Sequence, residues 1–145
     1  MEVISVKEKI CTIIGVAGGA VVAALGGWDT SMQLLVIAMI VDYMTGVAVA
    51  AVWHKSAKSE SGALESRAGF KGLIRKGCII ALVLIAHYMD LAIGTQYIRD
   101  ALVIGFATNE IISILENLSL MGIQYPEIIK RALDIMQDKS QANHS

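Results

Sequence analysis

Asp42, His87, Asp90, Glu110 and Glu116 lie inside long apolar stretches of a 145-residue chain, and that setting limits the chemistry open to them. Asp42 is the only charged residue between Ser31 and Trp53. At about 1.5 Å per helical residue, Asp42, His87 and Glu110 each fall about 15 Å from the ends of their apolar runs, near the middle of a bilayer. An ionised side chain there costs at least about 2.5–3.5 kcal/mol, so it faces a partner or a water-filled cavity. On a helical projection Asn109, Glu110, Ser113, Glu116 and Asn117 share an arc of about 120°. His87 and Asp90 are three residues apart and able to meet on one face.

Two uses fit such residues. They form an internal hydrogen-bond network that joins helices, or they line a pore once several copies assemble. The two are compatible at different times, if polar faces pair first and turn to water later. Metal binding by Asp42, His87 and Asp90 is the weaker option, and no metal ligand is expected. The chain has no Walker loop, HExxH, CxxC or nucleophile elbow. No catalytic residue and no cofactor are therefore expected.

The elements that must hold these residues are helices. Hydrophobic residues make up 55% of the chain and charged ones only 17%, against about 25% charged in a soluble domain. Mean hydropathy is +0.61. We expect an all-α integral membrane protein, a single membrane domain over 1–145. Four transmembrane helices are expected at about 10–28, 31–53, 77–98 and 101–123, each with the roughly 20 residues a crossing needs. A basic cytoplasmic loop spans 54–76, and a short amphipathic helix covers 126–137, opened by Pro126. Two alternatives stand beside this. The first run could be a cleaved signal peptide, although Glu2 and Glu8 dilute its basic start. If residues 108–136 lay flat on the surface, three spans would remain.

With four spans, eleven of the 12 basic residues fall on one side, with Arg99 alone on the other. Both termini are then cytoplasmic. Trp28, Trp53, Tyr97 and Tyr125 mark the span ends as interfacial aromatics. In the first run Gly15, Gly19, Ala23 and Gly27 recur every four residues, a small-residue stripe against which another helix can pack; Gly46 adds to a shorter one in the second. Arg67, Lys71 and Arg75 share a helical face opposite Phe70 and Leu73, and with Lys76 would lie near anionic lipid headgroups, with Gly69 and Gly72 as a hinge. Cys11 and Cys78 are expected as free thiols, and a net charge of −1 gives no reason to expect a nucleic-acid partner. Residues from Asp138 onward read as a disordered polar end.

Taken in order, DYMTG (42–46), SRAGFKGLIRK (66–76), AHYMD (86–90) and NEIISILENLSLMGIQYP (109–126) resemble the phage lysis and toxin-secretion holin family. The matching pattern is D-x-x-TG, S-x-x-G-x-x-G-x-x-x-K, H-x-x-D, NE-x-x-SI-x-EN and G-x-x-x-P, from about residue 30 to 136. Gln124 departs from it, standing where the family often has a second proline. The resemblance implies a prophage or phage protein that oligomerises in the bacterial cytoplasmic membrane and opens a lesion. A muralytic endolysin, or a large toxin, then leaves the cytoplasm without direct contact being required. Its motif positions here are Asp42, Thr45, Gly46, Ser66, Gly69, Gly72, Lys76, His87, Asp90, Asn109, Glu110, Ser113, Glu116 and Asn117. The rival class is a small proton- or cation-coupled transporter, which acids at mid-depth would also suit.

Overall fold

The computed structural model describes residues 5–63 and 65–142, and every described element is helical. Helix α1 spans Val6–Ala24 and α2 spans Thr30–Ala48, running on into a π-helical turn at Val49–Trp53. Helix α3 spans Ser66–Ile93, α4 spans Tyr97–Leu120 and α5 spans Glu127–Ala142.

Three helices, not the expected four, are long and apolar enough to cross a membrane: Thr30–Trp53, Ser66–Ile93 and Tyr97–Leu120. The physical reason lies at both ends of α1. Its first turn carries Lys7, Glu8 and Lys9, and a capping box at Ser5 and Glu8 anchors that turn. Gly26 (φ +84°) and Gly27 (φ +107°) then leave the helical region, so the helix stops at Ala24. The apolar helix from Ile10 to Ala24 rises only about 22 Å, short of the roughly 30 Å hydrocarbon layer. No residue of α1 is buried. A Cβ added at Gly15 or Gly19 would meet nothing within 4 Å, and Gly27 belongs to the turn. The small-residue stripe is therefore unpartnered within one chain.

The other boundaries shift too. Helix α3 begins at Ser66, so the expected loop 54–76 shortens to 54–65 and the basic segment becomes helix. Gly69 and Gly72 do not break it. Gly94 (φ +73°) caps α3, which passes Tyr97 and Ile98 from the third run to the start of α4.

The three long helices pack along stripes of three- and four-residue spacing. On α2 these residues are Met32, Leu35, Met39, Asp42 and Val49; on α3, Ile79, Val83, Ala86 and Asp90; on α4, Arg99, Val103, Ala107, Glu110 and Asn117. Leu25 closes one end of the apolar core they make. Ile37, Ile40, Leu82 and Ile85 point outward and are exposed, which in this chain is the face for lipid. Helix α4 is central, packed against α2, α3 and α5. After the Gly122 turn, α5 folds back on α4 and buries Leu133, while Met136 reaches the core. Ile128 stays exposed, so only part of the apolar face of this amphipathic helix is covered. Residues 138–142, expected as a disordered end, continue α5; residues 143–145 lie outside the described residues.

Candidate functional site

Each long helix sends one charged side chain to the same layer of the bundle. Asp42 is 11 residues from the π-turn end of its span, Lys76 is 10 from the start of α3, and Glu110 is 10 from the end of α4. All three therefore sit about 15 Å from the same end of the bundle. Lys76 Nζ donates to Asp42 Oδ2 at 2.9 Å and also to Glu110 Oε2. Lys58, from the 54–65 loop, donates to Asp42 Oδ1 at 3.3 Å and to Ser113 Oγ at 3.2 Å. Asn117 Nδ2 donates to Thr45 Oγ1 at 2.9 Å and to Asp42 Oδ1 at 3.4 Å. Two carboxylates and two ammonium groups leave the layer formally neutral. Asp42 and Glu110 are almost wholly enclosed, whereas the Lys58 side chain is 50% exposed.

Beside this layer is a cavity of about 100 Å³, bordered by Asp42, Gly46, Gly72, Lys76, Asn109 and Glu110 among others. That is room for several waters. Its walls owe their openness to small residues: Gly46, Ala50, Ala68, Gly69 and Gly72.

A second polar cluster sits at the opposite end. Arg99 Nε donates to the Leu25 carbonyl at 2.6 Å, Nη1 to Asp29 Oδ2 at 2.7 Å and Asp100 Oδ1 at 2.9 Å, and Nη2 to the Gly27 carbonyl at 3.3 Å. Asp29 also caps α2 through the Met32 amide at 2.8 Å. Gln96 supplies no side-chain cap for α4. Asp90 does so from α3, accepting from the amides of Ile98 (3.1 Å) and Arg99 (2.9 Å) and from Thr95 Oγ1 (2.5 Å). The α1–α2 turn approaches so closely that a Cβ at Gly26 would lie 2.7 Å from His87 Nδ1 and 2.8 Å from Arg99 Nε. Burial alone would raise the pKa of Asp29. The Arg99 hydrogen bond, the Met32 amide and the Arg99 charge outweigh it and hold that carboxyl below the usual 3.8.

The structure thus divides the residues singled out from sequence. Asp42, Glu110, Ser113 and Asn117 meet in one network. Asn109 borders the cavity, and Glu116 is exposed beside α5. His87 and Asp90 belong to the other cluster, and Asp90 bonds to α4 rather than to His87. Arg67 and Lys71 are exposed, Arg75 reaches the cavity wall, and Gly46 faces Asn117, 3.7 Å from a would-be Cβ. Lys76, expected near headgroups, is instead the cation between two buried carboxylates. Cys11 and Cys78 are free and exposed. Among the described residues, every buried side-chain nitrogen and oxygen has a hydrogen-bond partner.

Three residues were not assigned these roles from sequence: Lys76, Lys58 and Arg99. A signal existed for two. The α3 stripe Ile79, Val83, Ala86 extends back three residues to Lys76. The α4 stripe Val103, Ala107, Glu110 extends back four residues to Arg99. Nothing local marks Lys58.

The profile of the Bacteriophage holin family matches residues 19–138. An uncharacterized protein of Listeria innocua is 40% identical over 135 residues, covering 91% of each chain. An uncharacterized 14.9 kDa protein of Clostridium perfringens is 34% identical, over 79% of this chain and 82% of its own. A probable holin of Bacillus phage phi105 is 28% identical, over 79% of this chain and 80% of its own. No solved structure matches the chain.

Proposed function

The chain belongs to the bacteriophage holin family, and we propose that it self-associates in the bacterial cytoplasmic membrane and opens lesions that release a muralytic endolysin. A large toxin is the second cargo this reading admits. The observation that carries it is the charged layer: Asp42, Lys76 and Glu110 paired about 15 Å inside a bundle whose outer faces are apolar. One chain closes that layer on itself. Several chains, once rearranged, can turn it towards a shared aqueous path without exposing charge to lipid. The unburied stripe of α1, Gly15, Gly19 and Ala23, is the contact we assign to a second copy.

Orientation follows from charge. Nine of the 12 basic residues lie in the 54–65 loop, in α3 as far as Lys76 and in α5, whereas Arg99 lies at the opposite end of the bundle. The loop and α5 therefore face the cytoplasm. Cytoplasmic placement of the N-terminus as well would need α1 to cross the membrane as a fourth span. As a trigger we assign loss of membrane potential, since each elementary charge moved across the membrane is worth about 2.3 kcal/mol per 100 mV. The reading involves no bond-making chemistry and no cofactor.

The test is expression in a bacterium with a matched endolysin while optical density is recorded, with and without an uncoupler. Abrupt, endolysin-dependent clearing, advanced by the uncoupler, is the expected result. Steady growth with endolysin held inside would sink the proposal. Substrate-dependent proton flux without protein release would replace it with the coupled-transporter reading.

A further inference from the structure

Lys58 differs from every other charged member of the mid-bundle layer, because no helix carries it. The loop that bears it, 54–65, is held mainly by its own bonds: Ser56 N to the Gly62 carbonyl at 2.9 Å, and Ser59 Oγ to the Ala63 carbonyl at 2.8 Å. From there Lys58 reaches inward to Asp42 and Ser113. Its side chain is 50% exposed while that of Asp42 is 7% exposed, so the ammonium stands at the mouth of the cavity rather than inside it. Ser56, Lys58, Ser59 and Ala63 form the outer wall of that cavity.

The loop joins α2 through an irregular stretch of backbone. Val49–Trp53 is a π-helical turn, a wider and rarer backbone form than the α-helix, and His54 follows at φ +50°. Among the described residues, Lys58 itself is held to the helices by side-chain bonds to Asp42 and Ser113. With Lys58 in place the layer is formally neutral and the mouth is covered. With Lys58 withdrawn, Asp42, Glu110 and Lys76 leave one excess negative charge facing a space with room for water.

We propose that loop 54–65 is an autoinhibitory plug, whose Lys58 closes the mid-bundle cavity and whose withdrawal opens it to the loop-side solution. The proposal rests on the membrane-spanning holin reading, since only there does the cavity reach mid-bilayer from one side. Rearrangement of subunits then starts from the unplugged state, where the charged layer is hydrated and unbalanced.

The experiment measures access to the cavity separately from lysis. In a Cys11→Ser, Cys78→Ser chain, Gly72→Cys places a thiol on the cavity wall at a position where an added Cβ meets nothing within 4 Å. Membrane vesicles exposing the loop side are treated with a charged, membrane-impermeant maleimide. A partly exposed ion pair biases an opening equilibrium by up to about fivefold, so Lys58→Ala should speed labelling about three- to fivefold. Lys58→Arg should leave it near the starting rate. Asp42→Asn, which keeps Lys58 and its acceptors but removes the charge that attracts it, should speed labelling in the same way. Equal rates in Lys58→Ala and the parent, or equal acceleration by Lys58→Arg, would overturn the plug. Lysis timing in the same variants separates the two readings. Unchanged labelling with normal lysis sinks the plug alone, and accelerated labelling with no lysis in any variant sinks the holin reading alone.

Discussion

The two polar clusters both pair cations with carboxylates, but to opposite ends. At the Arg99 end, charge is tied to backbone: the guanidinium fans onto two turn carbonyls, Asp29 and Asp90 cap helices, and Gly26 lets the turn close over Arg99. Losing Arg99 or the Asp90 cap would disturb the chain path itself. At the Lys76 layer, almost every bond runs from side chain to side chain, one cation comes from a loop, and a cavity lies alongside. Those bonds can be exchanged for others, or for water, while the helices stay where they are. The difference teaches that depth alone does not identify a functional charge. What its partners are attached to is more informative.

The largest test of this contrast is Arg99→Ala. Its side chain is 6% exposed, and removal strands the Leu25 carbonyl and unpins the α1–α2 turn. Breaking a buried charged pair costs about 3–5 kcal/mol. Asp29 and Asp100 are each about half exposed and can turn to water, so the lower end, about 3 kcal/mol, is expected. Thermal unfolding in detergent and the amount of membrane-inserted protein should both fall. Arg99→Lys should recover little, because one ammonium cannot span four acceptors. A stable Arg99→Ala chain with altered lysis timing would reverse the assignment of the two clusters.

A smaller effect is expected from Lys76→Met. It leaves Asp42 and Glu110 without their shared cation, but Lys58 and cavity water stand ready to compensate. We expect about 2 kcal/mol of destabilisation, short of the full penalty for a buried charge without a partner. Protein level should stay near normal while lysis time shifts. Lysis time unchanged at normal level would remove the Lys76 layer from the mechanism.

How much of this could be read beforehand depended on the range of the signal. The arc of Glu110, Ser113 and Asn117 and the isolated Asp42 were legible, since helical spacing and an apolar background are local properties. Counting residues put Asp42 and Glu110 in one layer, where both meet Lys76, but misplaced His87, which lies in the Arg99 cluster because α3 begins at Ser66 and not at Gly77. Two errors came from equating apolar runs with helices. The run 10–28 counted Gly26 and Gly27 as helix although only a turn accommodates their φ values. The run starting at Gly77 cut Lys76 out of α3, although a helix tolerates glycine at 69 and 72 when its other face packs. Lys58 was beyond reach, because its position depends on how a loop without periodicity folds back over the bundle.

The smallest expected effect separates charge from geometry within the Arg99 cluster. The Asp29 pKa is lower in the folded chain than its usual 3.8. Such a group adds stability above its unfolded pKa, and that contribution is lost as pH falls through the folded value. Stability should therefore decline as pH drops below about 4. Asp29→Asn keeps an acceptor for the Met32 amide, so the α2 cap survives and only the charge is lost. Its acid limb should be shallower than that of the parent, while stability at neutral pH falls by no more than about 1 kcal/mol, since the Asp29 side chain is 47% exposed and screened by solvent. High salt should narrow the remaining difference, because the screening length shrinks to about 3 Å at 1 M. Unfolding midpoints across pH, read for both chains, check this. A loss in Asp29→Asn as large as in Arg99→Ala would mean that the ion pair, not the fan of turn carbonyls, holds this end together.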